Sequence, residues 1–344
     1  MSAPVRLLDL GPVTPLRSQA LYHALAEGMG EDSPDTIALC RPAAPYFCVG
    51  YHQVPREELD LDWCRDNGYP VLQRRIGGGT VFLDPSQLFY QCVFHRRRAP
   101  LMVEAIYRRY LMPAVEALRA LGLPAALEGV NEIEVGGRRI AGTGGGQIGE
   151  AVVVTGNILF DFDYAAMARA WRVPSEGFRR LAADGLRCYV TTLKRELPGV
   201  PTAGEVSRLL ADKYAEALDF PLVPGALTTR EEEAIARAEE GMAAPVRVST
   251  GRAAGRSGRG LKIARGVYVR EEEASTPAGP VRLTLRVRGG VIDDLILAGP
   301  VCSRPRVAEA ARRAGAGGET VPREPLPRAG GGTGGEGSQA RSAS

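Results

Sequence analysis

The sequence predicts an α+β fold, with mixed or antiparallel sheets flanked by helices, on three observations. Strand-like and helix-like stretches are intermixed along the chain without a regular β-α-β repeat, which argues against a doubly wound sheet. The 344 residues are 44% hydrophobic, enough for a large core and a smaller second unit. Late in the chain, strand-like stretches at 281–287, with alternating Arg282 and Arg286, and at 291–297 flank Gly289-Gly290, the pattern of a two-residue hairpin.

The elements follow in order. Leu21, Leu25 and Met29 recur at helical spacing over 18–29. Short strands are predicted at 36–39 and 46–50, with Pro42 and Pro45 breaking the run between them. A helix over 56–67 is stopped by Gly68. Strands at 69–73 and 80–83 are joined by a glycine run, and 89–95 forms another strand. An amphipathic helix from 103 to about 121 carries Ile106, Tyr110, Val115 and Leu118, and Pro113 is expected to kink or split it. Strands at 131–135, 138–141 and 151–160 precede helices at 204–218 and 229–242. Gly, Arg and Ser dominate 243–259, and a strand-like stretch at 261–269 follows. The expected organisation is a main domain over 1–242, a linker over 243–260, a small, shortened α+β module over 261–302 and a disordered tail over 303–344, where apolar periodicity is almost absent.

Charge excludes one broad class. Of the 43 Lys and Arg and 40 Asp and Glu, seven Arg and four Glu lie in 303–344, which leaves the rest balanced at 36 each. The body has no electrostatic reason to seek nucleic acid. No apolar stretch is long enough for a membrane span and the start lacks a signal design, so a soluble, cytoplasmic protein is expected. The six cysteines form no C-x-x-C pair, which disfavours structural zinc or a disulfide framework; most are expected to be buried small hydrophobes. Only Lys194, Lys213 and Lys262 are lysines, so any site that needs one has few candidates.

Two glycine segments carry the chemistry. In Gln73-Arg74-Arg75-Ile76-Gly77-Gly78-Gly79-Thr80-Val81, three glycines let backbone N–H groups approach a ligand, and two guanidinium forks suit carboxylate or phosphate. The segment lies between strands, so it is not a P-loop. Composition alone is equally consistent with a glycine-rich hairpin and two solvated arginines. The second segment runs from Asn131-Glu132-Ile133 through Gly137-Arg138-Arg139-Ile140-Ala141-Gly142-Thr143 to Gly144-Gly145-Gly146. Its plain alternative is a hairpin with a loose glycine loop.

Together the two segments resemble the lipoate–protein ligase branch of the biotin/lipoate ligase family. An R-R-x-x-G-G-G-x-V-x-x-D element is matched by Arg74, Arg75, Gly77, Gly78, Gly79, Val81 and Asp84. An N-D-I…G-x-K-I-x-G element is matched by Asn131, Ile133, Gly137, Ile140 and Gly142, and the stretch 156–163 looks like the strand that follows. The resemblance covers about 5–220, and 261–297 is similar to the family's small C-terminal accessory domain. It implies a biotin/lipoate ligase-like catalytic domain in which Arg74, Arg75, Gly77, Gly78, Gly79 and Thr80 bind the acyl group. Gly79, Val81, Asn131, Glu132, Arg139, Gly142 and Thr143 would bind ATP or the adenylate, with Glu132 helping to hold Mg2+.

The implied reaction activates lipoate or octanoate with ATP and passes the acyl group to a lysine of a carrier. The carrier would be the lipoyl domain of a 2-oxoacid dehydrogenase subunit or a glycine-cleavage carrier protein, and a separate accessory chain is a possible partner. The sequence departs from the family at its lysine, which is Arg139 here, and at its aspartate, which is Glu132. The expectation is that Arg139 serves in the lysine's place. Two alternatives stand: an ATP-independent octanoyl or lipoyl transferase, for which Cys188 beside Arg187 is the candidate thiol after the second motif, and a non-catalytic acyl-binding homologue.

Overall fold

The computed structural model describes residues 4–218, 220–243, 260–277 and 279–300. Strand β1 (Val5–Val13) leads into helix α1 (Pro15–Glu27), whose start is fixed by Thr14 accepting from the Arg17 N–H and by Pro15, which lacks a donor where none is needed. Strands β2 (Thr36–Pro42) and β3 (Tyr46–Val49) are followed by two short helices, α2 (Pro55–Glu58) and α3 (Leu61–Asp66). The single helix expected over 56–67 is therefore broken. Leu59 turns extended to bridge Trp171, and Asp60 restarts the helix by capping the Trp63 N–H.

Strands β4 (Val71–Gln73), β5 (Val81–Leu83) and β6 (Gln87–His95) come next, then helix α4 (Val103–Ala120), which Pro113 does not split. The chain continues through β7 (Ala125–Glu128), β8 (Glu132–Val135), β9 (Arg138–Ile148) and β10 (Ala151–Leu159). Helices α5 (Tyr164–Ala170), α6 (Glu176–Tyr189) and α7 (Leu193–Glu196) were not expected from periodicity. Helix α8 (Ala203–Ala217) starts on a capping box between Thr202 and Glu205, and β11 (Leu222–Pro224) and α9 (Thr229–Ala243) follow.

The main sheet has the order β11-β1-β2-β6-β10-β9-β8-β7, parallel at β11-β1-β2 and antiparallel elsewhere. All nine residues of β6 are buried because the sheet is covered on both faces, which explains why apolar residues occupy successive positions on either side of Gln91. Tyr90, Cys92 and Phe94 face a core with Tyr110, Leu118 and Tyr214 of α4 and α8, whereas Val93 joins Leu21 and Ala24 of α1 on the other face. On that second face stands a small sheet of order β4-β3-β5. β4 and β5 each pair with β3 and not with one another, so the first glycine segment is a crossover loop and not a hairpin.

A four-stranded antiparallel sheet closes the chain: β12 (Leu261–Ala264), β13 (Val267–Thr276), β14 (Gly279–Arg288) and β15 (Val291–Ala298). The strand expected over 261–269 is a tight hairpin turning at Arg265-Gly266, whereas the Gly289-Gly290 turn stands as expected, with φ of 59° and 91°. Among the described residues this module is all strand. The helix that covers it is α6, whose Phe178, Leu181 and Leu186 share one core with Leu261, Ile263 and Val269. The expected linker, but for its end residues 243 and 260, and the expected tail at 303–344 lie outside the described residues.

Candidate functional site

The first glycine segment is organised by Arg74, which is 9% exposed. Its guanidinium donates to the carbonyls of Gly77 (Nη2, 3.1 Å), Gly79 (Nη2, 2.7 Å) and Cys48 (Nη1, 3.3 Å). Arg74 therefore shapes the loop from inside, with its fork engaged by backbone. Glycine is required where the loop crosses β3: a Cβ on Gly50 would stand 2.0 Å from the Gly78 carbonyl oxygen, and Gly78 itself has φ +107°. Arg75 points away, pairing with Glu27 of α1 at 2.8 Å in an exposed cleft between α1 and α9. Thr80 turns toward Gln53 (3.1 Å).

The second segment is a strand and not a loose loop. Side chains alternate along β9, so Gly142, Gly144 and Gly146 bare one backbone face. The first loop lies against that face: Cβ atoms built on Gly144 and Gly146 would meet Ile76 at 3.4 and 3.5 Å, and the Gly77 carbonyl is 3.7 Å from the former. The two glycine elements thus converge. Between them, α1 and the small sheet is a narrow cavity with apolar walls from Val81, Leu83, Phe89 and Tyr22. Its polar lining includes Arg74, Gln91, Thr143 and Asn157. Gln91, 1% exposed, donates its amide to the Ser18 carbonyl at 2.7 Å and leaves its own oxygen without a partner among the described residues.

A bulge aims the charged residues at the same side. Ile133 pairs with Ala141 but Glu134 with Arg139, so Ile140 is the extra residue, and Ile140 and Ala141 both face the α4 core. Alternation is thereby reset, and Arg139 falls on the cavity face with Gly142, roughly 10 Å away along the strand. There its fork closes on Glu132, with Nε–Oε2 and Nη2–Oε1 both 2.5 Å. Lys262 of β12 reaches the same Oε1 at 3.3 Å. Burial pushes the Glu132 carboxyl up, but the hydrogen bonds and charge of Arg139, helped by Lys262, more than offset this and hold it below the usual range. Thr143, in the cavity wall, donates to the Asn131 carbonyl and so ties the cavity to the residue before Glu132.

The family model for the Lipoyl protein ligase A/B catalytic domain matches residues 14–215. The chain belongs to this family. It is 31% identical over 253 residues to an octanoyltransferase LipM of Symbiobacterium thermophilum, covering 66% of this chain and 91% of the relative. A bipartite lipoate protein ligase of Thermoplasma acidophilum, solved with its E2 lipoyl domain, superposes with a TM-score of 0.64 at 24% identity, covering 70% of this chain and 93% of that one. A lipoate-protein ligase A bound with ATP superposes at 0.59 and 24% identity, over 69% and 95%. At these identities the two structures establish the fold.

Within this family's frame, several expectations shift. Of the residues expected at the acyl group, Arg74 lines the cavity with its donors engaged, Gly77 borders it, and Arg75 and Thr80 face elsewhere; Arg75 and Arg139 share no cavity found among the described residues. Of those expected at the nucleotide, Val81, Gly142 and Thr143 line the cavity, Asn131 is tied to its wall through Thr143, and the Glu132–Arg139 pair lies outside the lining, further along the strands. Both oxygens of Glu132, the residue expected to help hold Mg2+, are engaged by Arg139, and one of them also by Lys262. Cys188 is exposed on α6, outside the cavity wall, whereas Cys48 forms part of that wall and burial raises its thiol against the pull of Arg74. Sequence reasoning missed Tyr22, Phe89 and Gln91, which nothing local marks, and Lys262, whose rarity was the available signal.

Two consequences are measurable. A Cβ on Gly144 would make only ordinary contacts, the nearest with Ile76 at 3.4 Å, so Gly144→Ala should stay close to wild type, whereas the larger Gly144→Val projects into the cavity and should lower octanoate affinity about tenfold, or ~1.4 kcal/mol, in calorimetry. Because the Glu132 carboxyl is depressed in the folded state, its contribution to stability is complete above its ordinary value of 4.5 and is lost as pH falls through the lower folded value. The difference in melting temperature between wild type and Glu132→Gln should therefore shrink between pH 6 and pH 3, and a constant difference would contradict the pairing.

Proposed function

We propose that this chain is an ATP-dependent ligase that activates lipoate or octanoate as an acyl-adenylate and transfers the acyl group to a lysine of a lipoyl carrier domain. The observation that carries this reading is the apolar cavity walled by both glycine elements, with Arg139 and Glu132 at one end of the same sheet face. The walls of Val81, Leu83 and Phe89 are apolar, as an aliphatic chain requires, and its carboxylate would lie toward the cationic end.

In the first step a carboxylate oxygen attacks the α-phosphorus of ATP, an O–P bond forms, and pyrophosphate leaves. In the second, the carrier lysine's amine attacks the acyl carbon, the amide forms, AMP leaves and the amine's proton passes to solvent. Arg139 stabilises charge that develops on the phosphate, a role open to a guanidinium as to an ammonium because the need is electrostatic. Glu132 holds Arg139 in place. Magnesium bound to the nucleotide itself would neutralise phosphate charge; no step is assigned to an ion held by the protein. The carrier is a lipoyl domain of a 2-oxoacid dehydrogenase subunit or a glycine-cleavage carrier. The five described cysteines are all free, which fits a reducing cytoplasm.

A second reading, octanoyl transfer without ATP, is favoured by the name of the relative at 31% identity. It needs a thiolate at the cavity, and the cysteine in the wall is Cys48, whose burial favours the neutral thiol. ATP–pyrophosphate exchange separates the two. Exchange that depends on octanoate or lipoate supports the ligase. No exchange, with octanoyl groups accepted from an octanoyl-carrier in the absence of ATP, establishes the transferase; neither activity with octanoate still bound leaves the acyl-binding homologue.

A further inference from the structure

Arg139 closed on Glu132 is a neutral pair. Lys262 is a second cation on the same carboxylate. Its ammonium sits 3.3 Å from Glu132 Oε1, an oxygen already taken by Arg139 at 2.5 Å. The neighbouring cation of the same sheet, Arg265, is instead shared between two carboxylates, Glu128 at 3.1 Å and Glu134 at 3.6 Å. Lys262 is therefore the cation of this cluster that shares its carboxylate with another cation, and its side chain is 50% exposed while that of Glu132 is 9% exposed. The other lysines are engaged away from this cluster, Lys194 with Asp161 at 2.6 Å and Lys213 with Glu216 at 2.8 Å.

We propose that Lys262 binds the anionic head of the reacting species, so that the C-terminal sheet contributes a substrate-contacting residue to the acyl-activation site. The proposal rests on the ligase reading above. Activation brings a carboxylate up to a phosphate, and two unit charges 4 Å apart repel by about 4 kcal/mol at the dielectric of a protein surface. Nε and Nη2 of Arg139 are held on Glu132 by two short bonds. Lys262 holds a single longer one on a flexible stem and can swing onto an incoming oxygen as a point charge. Core contacts of Leu261 and Ile263 with α6 fix the strand that carries it, so the ammonium is presented to β8 from a packed support.

The test uses the full chain and three variants, Lys262→Met, Lys262→Arg and the double variant Lys262→Met with Arg139→Lys, each checked for an unchanged melting temperature. The readouts are octanoate-dependent ATP–pyrophosphate exchange and calorimetric affinity for a non-hydrolysable octanoyl-adenylate analogue. Lys262→Met should weaken analogue binding about tenfold and lower exchange about a hundredfold, chiefly in kcat and little in the KM for octanoate. Lys262→Arg should retain most activity, and the double variant should recover part of it, because the ammonium lost at 262 is restored at 139. A residue that only tied the sheet to β8 would give no such rescue. Lys262→Met equal to wild type in both readouts overturns the proposal and leaves the ligase reading intact. If wild type binds the analogue without exchange, the ligase reading falls and the affinities alone decide Lys262. If wild type does not bind the analogue, both fall.

Discussion

Arg74→Ala is expected to lower stability by about 3 kcal/mol and to abolish acyl binding, the largest structural effect of any single side chain in the site. The guanidinium is the internal scaffold of a loop that has no ladder of its own, and its removal strands the carbonyls of Cys48, Gly77 and Gly79. For a unit of this size the loss corresponds to a fall in melting temperature of roughly 6–12 °C. Arg74→Lys should not rescue it, since a point charge cannot serve oxygens on both sides as the planar fork does. Thermal unfolding and octanoate calorimetry check both halves. An unchanged melt would mean that the glycine loop holds its shape through Gln73 and Gln53 alone, whose side chains also bind nearby backbone.

Arg139→Ala is expected to cost the most in turnover, about 10²–10³ in exchange rate, with less than a few-fold change in the KM for octanoate. The reason is positional: the bulge at Ile140 turns Arg139 onto the face where Gly142 borders the cavity. The variant also leaves Glu132 with Lys262 alone, so Glu132→Gln combined with Arg139→Ala should recover stability but not rate. Recovery of rate in that double variant would show that Arg139 acts only to neutralise Glu132.

Much of the fold was legible because its strongest elements follow local rules. The buried run 89–95, the helix beginning at 103 and the Gly289-Gly290 turn each carry their own pattern. What local rules hid were conflicts won by tertiary context. Glycines normally weaken a strand, so 142–146 reads as a loop; in the folded chain the strand persists because Val152–Val154 of β10 pair along it and the bare face receives Ile76. Adjacent Arg74 and Arg75 look equivalent in sequence, yet one is buried as a scaffold and the other pairs with α1. Glu132 and Lys262 lie 130 residues apart, and nothing in either segment announces their contact. The two glycine motifs lie against one another in the fold; the different placements of their charged neighbours came from packing.

The most direct test is intact-mass spectrometry of a lipoyl carrier domain incubated with this protein and lipoate, with and without ATP and magnesium. One lipoyl adduct on the carrier lysine, formed only when ATP is present and lost in Arg139→Ala, is the result the account predicts. An adduct formed without ATP from an octanoyl-carrier donor, or no adduct at all from folded protein that binds lipoate, would contradict it.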